Sequence, residues 1–201
     1  MSGIETLTTG DGVNSITLEA LADAAGITTI TDGTGADTIV MSNAAFNNAV
    51  TINAGNGIDI ITLGAQTATV VLTGANVAAN DSDVITGFTS ATDKLNLDAV
   101  TTATAVTTLT GGITNAVNVV WFLAGQSAGK ADTVGGAAIA ITAASTMLDA
   151  AAVSYVIIVD DNSTGIFSLL GDGIGDQIQS AELTVMGTID AVTVAGDFLF
   201  A

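Results

Sequence analysis

The chain has no cysteine, no histidine and no proline, and only two of its 201 residues are basic. Without cysteine it can form neither disulfides nor thiolate metal sites. Without histidine it lacks the usual general base and the usual transition-metal ligand. A hydrolytic triad is therefore excluded, and a serine–lysine pair would depend on Lys94 or Lys130, each of which lies in a polar segment. We expect no enzymatic activity.

Positive charge is almost absent, because 20 acidic residues face two lysines and give a net charge of −18. Such a chain should bind neither nucleic acid nor an anionic membrane surface. Yet charged residues make up only 11% and hydrophobic residues 49%, so the chain is not a disordered acidic tail. The N-terminus has no basic segment followed by an apolar one, as a signal peptide would. The longest uncharged run, 99–129, is interrupted by glycine and asparagine, so we expect no membrane insertion.

A short glycine-aspartate motif, called the phrase below, occurs twice near the middle of the first half of the chain. DGTGADTIV (Asp32–Val40) and AGNGIDIIT (Ala54–Thr62) both fit x-G-x-G-x-D-x-U-x, where U is a large aliphatic residue. Two glycines one residue apart allow turns with positive φ. The aspartate supplies carboxylate oxygens, and the aliphatic residue begins a strand that points inward. The phrase predicts a strand corner built around a hard cation.

The phrase also recurs in weaker form on both sides. TGDGVNSIT (Thr9–Thr17) has asparagine in the acidic slot, and AANDSDVIT (Ala78–Thr86) keeps the aspartate but has lost both glycines. Successive acidic slots are separated by 37 − 14 = 23, 59 − 37 = 22 and 83 − 59 = 24 residues. A period of this size with a turn signature predicts a stack of repeats. The four slots are Asn14, Asp37, Asp59 and Asp83.

The fold predicted from this period is all-β, a right-handed parallel β-roll or β-solenoid with coils of about 22–24 residues. Residues 1–100 would form the calcium-binding roll and its cap, and residues 101–201 a smaller β-rich assembly and secretion module. That module would contain one short helix, at Thr142–Ser154. Inside the roll we expect one inward ladder of Ile16, Ile39, Ile61 and Ile85, and a second of Ile30, Ile52 and Leu72.

These phrases and their period resemble the RTX family of calcium-binding β-roll proteins. Asp83–Leu97 is similar to the segment that follows the repeats in serralysin-type C-terminal domains, and Tyr155–Ala201 looks like the uncleaved secretion region of type I substrates, including S-layer proteins. The resemblance implies Ca²⁺ as the bound ion, export by a type I secretion machinery and an extracellular or cell-surface location. Family rolls carry the phrase at both turns of a coil of about 18 residues. Here only one side carries it, so calcium should line one edge.

Calcium takes about six to eight oxygen ligands from carboxylates and backbone carbonyls. Stacked glycine turns offer both, with Asp37 and Asp59 as the central carboxylates. The alternative is that the aspartates only cap their own backbone amides in tight turns. The residues that we predict to bind calcium are Asp11, Asn14, Asp32, Gly33, Gly35, Asp37, Gly55, Asn56, Gly57, Asp59, Asp81 and Asp83.

A second acidic cluster lies near the C-terminus. Its segment 172–182 resembles an EF-hand loop, but Gly171 falls where the first aspartate of that loop belongs, so the EF-hand match fails. A calcium site of another kind and a solvated loop remain open. The cluster consists of Asp160, Asp161, Asp172, Asp176 and Glu182.

The function we expect is that of a secreted structural subunit, which self-assembles into an extracellular filament, matrix or surface layer and folds when it meets calcium. Its partners would be copies of itself, pairing through open coil edges at both ends. One alternative is a soluble calcium-dependent adhesin or ligand-binding module. Another is the secretion domain of a larger enzyme, which Met1 disfavours. An ice-binding surface would need threonine at one fixed place in successive coils, and the threonine cluster at Val100–Thr110 lies off the period.

Overall fold

The computed structural model describes residues 3–72, 82–97, 106–108, 120–144, 153–170 and 179–200. Within these ranges the chain forms two α-helices, α1 (Ala20–Ala25) and α2 (Val134–Ala144), together with fifteen β-strands. The strands are β1 (Thr6–Thr8), β2 (Ser15–Thr17), β3 (Thr29–Thr31), β4 (Thr38–Val40), β5 (Val50–Asn53), β6 (Ile60–Thr62), β7 (Ala68–Val71), β8 (Asp83–Thr86), β9 (Lys94–Asn96), β10 (Val106–Thr108), β11 (Val120–Leu123), β12 (Val153–Val159), β13 (Thr164–Leu170), β14 (Leu183–Ile189) and β15 (Phe198–Leu199).

The strands form two sheets. One has six strands in the order β1-β3-β5-β7-β9-β15, and every neighbouring pair in it is parallel. The other has nine strands in the order β10-β11-β12-β13-β14-β8-β6-β4-β2 and is mixed, because β13 runs antiparallel to both of its neighbours. Up to β9, successive strands alternate between the sheets, so that each pairs with the strand two places along the chain.

The predicted fold class, an all-β right-handed parallel β-roll followed by a smaller module with one short helix, is wrong. The nine-stranded sheet is mixed, and the chain carries two helices, which gives a layout closer to that of an α/β protein. The repeat predicted strands only as far as Asp83. Beyond it, β12, β13 and β14 form an antiparallel unit, and β14 joins the same sheet beside β8. Strands of both predicted units, 1–100 and 101–201, therefore lie in one sheet.

The space between the sheets is filled by aliphatic ladders. The predicted isoleucine ladder of the nine-stranded sheet is confirmed, because its members are paired in register and buried. The second ladder needs a correction: Ile52 pairs with Val70, and the buried Leu72 lies just beyond the end of β7. The side chains in register in the six-stranded sheet are Leu7, Ile30, Ile52, Val70, Leu95 and Phe198.

The predicted helix at Thr142–Ser154 is misplaced, because α2 ends at Ala144 and β12 begins at Val153; residues 145–152 lie outside the described ranges. Two glycines, Gly135 and Gly136, follow the first residue of α2. Tertiary packing overrides their low helix propensity: Ala137 and Ile141 are buried against the sheet. A Cβ on Gly136 would lie 2.3 Å from the carbonyl oxygen of Gly129, so only glycine permits this approach.

At the far end of the stack the C-terminal part of the chain adds one strand to each sheet beyond the repeats, and β15 is then the edge of the six-stranded sheet. β14 pairs with β8 and β15 pairs with β9. Asp197 fixes this end, since its buried carboxylate accepts hydrogen bonds from the Ser90 hydroxyl (2.6 Å) and the Ala91 amide (2.9 Å) and lies 3.4 Å from the Lys94 ammonium. At the near end β1 and β2 are the sheet edges among the described strands. No helix in the described part of the chain is long and apolar enough to span a bilayer.

Candidate functional site

The glycine phrases stack directly on one another along one edge of the molecule. Between turns, the Gly35 amide donates to the Asn56 carbonyl (2.8 Å) and the Asn56 amide donates to the Gly33 carbonyl (3.0 Å). Thr34 and Asn56 form a parallel bridge. The turns are thus hydrogen-bonded to each other as the strands are, and not only to themselves.

Glycine is required because the turns approach so closely. A Cβ built on Gly55 would lie 1.8 Å from the Gly33 oxygen, and one on Gly57 would lie 1.9 Å from the Gly35 oxygen. Gly35, Gly55 and Gly57 also have φ of +141°, +92° and +137°, a region that L-residues rarely adopt. The phrase therefore encodes both the turn and its contact with the next turn.

The acidic slots form a ladder of hydrogen bonds between repeats. The Asn14 amide donates to Asp37 Oδ1 (2.7 Å), the Asp37 amide to Asp59 Oδ1 (2.8 Å) and the Asp59 amide to Asp83 Oδ1 (3.1 Å). The alternative in which each aspartate caps its own turn is thereby corrected, because each carboxylate caps the preceding repeat. Asp83 takes part without glycines, since the bond requires only strand register and a carboxylate.

Some carboxylate oxygens in this stack have no hydrogen-bond donor in the part of the chain that the structure describes. Asp37 is 1% exposed, and its Oδ2 is buried without a hydrogen-bond partner among the described residues. The same holds for Oδ2 of Asp32, which is 6% exposed. Burying a polar group without a hydrogen-bond partner costs about 1–3 kcal/mol. The cost is larger for a charged group such as a carboxylate. A cation at these oxygens would remove that cost.

In the first turn, the side-chain amide of Asn14 donates hydrogen bonds to the oxygens that face it. Asn14 Nδ2 donates to the carbonyl oxygens of Gly10 (2.7 Å) and Gly12 (2.8 Å) and to Asp32 Oδ1 (3.1 Å). Three oxygens thus converge on one nitrogen, which occupies the place that a cation would take. Asn14 was predicted as a calcium ligand, and in this arrangement its side chain acts as a donor.

Three other residues that were predicted to bind calcium at this edge differ in their exposure and contacts. Asp11 is exposed, and its Oδ1 accepts a hydrogen bond from the Thr34 amide (3.2 Å). Asn56 is also exposed, and its contribution is its backbone. Asp81 lies outside the described residues. Among the described residues no group of three or more acidic side chains could hold a metal ion, so calcium here would need carbonyl oxygens as well.

Sequence reasoning missed two residues that shape the site. The Thr9 hydroxyl donates to Asp32 Oδ1, which also accepts the Gly33 amide (2.9 Å). Asn53 Oδ1 accepts the Gly55 amide (3.1 Å) and so supports the second glycine turn. Thr9 occupies the first position of its phrase, as Asp32 does in the next one, and this shared position was the signal available in the sequence.

The second predicted cluster is organised by Asp160. Its Oδ2 accepts the amides of Lys130 (3.0 Å) and Ala131 (3.1 Å), and its Oδ1 accepts the amides of Asn162 (3.2 Å) and Ser163 (2.9 Å) and the Ser163 hydroxyl (2.9 Å). These donors tie the segment before α2 to the β12–β13 turn. Both oxygens of Asp160 are thus engaged by the protein, which supports a structural role.

The remaining members of that cluster do not converge on Asp160 in the described residues. Asp161 is exposed, and Glu182 Oε2 accepts the Gln179 amide (2.5 Å) at the start of a 3₁₀ turn, Ser180–Glu182. Asp172 and Asp176 lie outside the described ranges. The calcium site proposed there from the sequence stays a prediction.

Asp160→Ala is expected to lower the free energy of unfolding by about 2–4 kcal/mol at neutral pH, because it leaves several donors without an acceptor. Burial alone would raise the pKa of Asp160, but the hydrogen bonds from Ala131, Asn162 and Ser163 outweigh it and lower the pKa. The stabilisation is therefore present above the ordinary carboxyl pKa and is lost as the pH falls through the lowered value.

Urea denaturation followed by circular dichroism, from neutral pH down to acid, measures this difference. The control is Asp161→Ala, which removes the neighbouring exposed carboxylate and should change stability little. Equal effects of the two substitutions, or a gap that widens on acidification, would contradict the role of Asp160.

Comparison of the sequence with models of known protein families and with characterised proteins finds no match. The resemblance to RTX proteins remains a prediction that rests on the glycine-aspartate phrases and their period.

Proposed function

We propose that this chain is an extracellular structural subunit whose folding depends on calcium and which assembles with copies of itself. The observation that carries the proposal is the buried Asp37 Oδ2, which has no hydrogen-bond donor among the residues that the structure describes, in a chain of net charge −18. A charged group is seldom buried without a partner, because its desolvation is costly. A cation is the partner that this carboxylate lacks.

The residues of the central turns fit calcium by their chemistry. The carboxylates of Asp32 and Asp37, with backbone carbonyls of the glycine turns, are hard oxygen ligands of the kind that calcium prefers. Bound there, the ion would supply positive charge between turns that otherwise repel each other. Its binding free energy would then become folding free energy.

Self-assembly is supported by the sheet edges. β1 and β2 are edges of the two sheets among the described strands, and β15 is the opposite edge of the all-parallel sheet. Exposed edges are templates for pairing with another chain. Because β1 and β15 run in the same direction, β1 of one copy beside β15 of another would continue the sheet. We propose the open case, in which the rotation between successive copies does not close a ring. It would build a filament.

Export through a type I machinery and an extracellular location belong to the same proposal and rest on the resemblance. A chain that folds only with calcium would stay unfolded in calcium-poor cytosol and fold outside, where modules of this kind bind at about 10⁻⁴–10⁻³ M. The acidic surface would also be screened there.

Removal of calcium tests the proposal. In excess EGTA the purified chain should lose most of its β-sheet signal in circular dichroism and form no polymers, and millimolar calcium should restore both. Magnesium at the same concentration is the control for ionic strength. Negative-stain microscopy separates assembly from folding: regular fibres or sheets support the structural subunit, whereas folded monomers favour the soluble calcium-dependent adhesin. An unchanged spectrum in EGTA would remove the calcium mechanism.

A further inference from the structure

The outer face of the six-stranded sheet carries threonine at fixed places in successive strands. Side chains alternate between the two faces of a strand, and the alternate residues of β1, β3, β5 and β7 that do not point inward lie in two rows in parallel register. We call this surface the threonine face. Its first row is Thr6, Thr29, Thr51 and Thr69, and its second row is Thr8, Thr31, Asn53 and Val71.

This register removes the argument that was made above against an ice-binding surface. That expectation was based on the threonine cluster at Val100–Thr110, which lies off the period. The strands TLT and TIT and their neighbours supply the fixed positions that such a surface needs, and they do so on the period.

The six threonines are exposed or half-buried, and none of their hydroxyls forms a hydrogen bond within the described part of the chain. The face also carries no charge from β1 to β7, although one residue in ten of this chain is acidic. The first charged side chain in its rows is Lys94 in β9, which pairs with Thr69. None of the eight residues is aromatic, so the face lacks the stacking surfaces on which sugar rings usually lie.

The face repeats in two directions. Neighbouring strands lie about 4.8 Å apart, and alternate residues of one strand lie about 6.6 Å apart. No register shift interrupts the pairing from β1 to β7. The result is a regular lattice in which six of the eight positions carry a hydroxyl and a methyl group with free hydrogen-bonding capacity. A surface that complements this lattice would be neutral and crystalline and would present hydrogen-bonding groups at similar spacings in both directions. The faces of hexagonal ice have these properties.

We propose that the threonine face binds ice. Each hydroxyl would take the place of a water molecule at the crystal surface, and the methyl groups between them would hold the intervening water in ordered positions. Because the rows contain no charge, no strongly hydrated group has to lose its water on contact. The inference is independent of catalysis and of filament formation.

Partition into slowly growing ice tests the proposal. The folded chain in calcium buffer should be enriched in the ice fraction and should inhibit ice recrystallisation. Thr51→Tyr places a ring above the centre of the face, between Thr29 and Thr69, and should abolish both effects. Tyrosine is a strong strand former, and the position is exposed, so the fold should survive.

Thr38→Tyr is the matched control, because Thr38 lies at an outward position of β4 in the other sheet. It should leave ice partition unchanged. Thr31→Tyr, on the neighbouring strand, repeats the test if Thr51→Tyr fails to fold, as judged by circular dichroism. Exclusion of the parent chain from ice, or equal partition of Thr51→Tyr and Thr38→Tyr, overturns the proposal.

Sedimentation of the same samples identifies a competing occupant. If the parent chain stacks face to face with a second copy, Thr51→Tyr will dissociate it while neither form enters ice, and the proposal is then overturned. Running the partition also in EGTA on whatever remains folded separates this inference from the calcium proposal. If the chain stays folded and binds ice in EGTA, only the calcium proposal is refuted.

Discussion

Asn14→Asp is expected to add a calcium-binding site to the chain and to destabilise its metal-free fold. In the parent chain Nδ2 of Asn14 donates to Gly10 O, Gly12 O and Asp32 Oδ1, all within 3.1 Å. The substitution replaces this donor with a carboxylate oxygen. Two carbonyls and two carboxylates would then face one another, which is a ligand set that calcium favours.

Without metal the same substitution removes the hydrogen bonds of two N–H groups, which the three oxygens share, and adds repulsion between like charges. Each bond contributes about 0.5–1.5 kcal/mol, so the free energy of unfolding should fall by about 1–4 kcal/mol in EGTA. With calcium the loss should be recovered, because binding to the folded state alone stabilises it. The sign of the change in stability therefore depends on the metal.

Calorimetric titration of the parent chain and the variant measures the additional ion, and thermal unfolding with and without calcium measures the two stabilities. Asn43→Asp is the control, since it makes the same change of charge in an exposed turn, where Asn43 Oδ1 accepts the Ala45 amide and the substitution keeps that acceptor. An equal calcium stoichiometry for the parent chain and Asn14→Asp would show that the oxygens around Asn14 do not form a cation site.

The four acidic slots could be predicted from the sequence because their spacing fixes the register. Steps of 22 to 24 residues bring Asn14, Asp37, Asp59 and Asp83 into one ladder, and the same steps align the buried isoleucines. A local period contains that information. It does not contain the pairing partner of each amide, because the capping of the preceding repeat depends on how the turns stack in three dimensions.

The fold class could not be predicted in the same way, because the deciding contacts are non-local. β8 pairs with β14, about a hundred residues away, and no periodic pattern links Val84 to Thr188. The antiparallel unit of β12 to β14 is apolar on both faces, so its sequence shows strands without showing which sheet they join. Likewise, the start of α2 depends on packing against that sheet and not on its two glycines.

The threonine face shows how register alone can redirect a functional expectation. In the sequence the threonines of β1, β3, β5 and β7 are scattered among many others. Their lattice appears once Thr29 is placed between Thr6 and Thr51. Composition gave the residues, but the spacing that makes a surface of them is a property of the sheet.

Gly55→Ala is expected to destabilise the chain more than any other single methyl group added to the glycine phrases. The new Cβ would lie 1.8 Å from the Gly33 carbonyl oxygen, a backbone atom that cannot rotate away, and the φ of +92° opposes any L-side chain. The conformational penalty alone is about 1–2 kcal/mol. With the collision added, the free energy of unfolding should fall by about 3 kcal/mol or more.

Gly10→Ala is the matched control, because Gly10 holds the same position in the first phrase. No atom lies within 4 Å of a Cβ built there, and its φ is not in the positive region, so the substitution should change stability by less than about 1 kcal/mol. Urea denaturation in calcium buffer compares the two variants under conditions where the parent chain is folded. If turns stack on turns as described, only the alanine covered by a following or preceding turn is destabilising; similar midpoints for Gly55→Ala and Gly10→Ala would mean that the phrases do not contact one another.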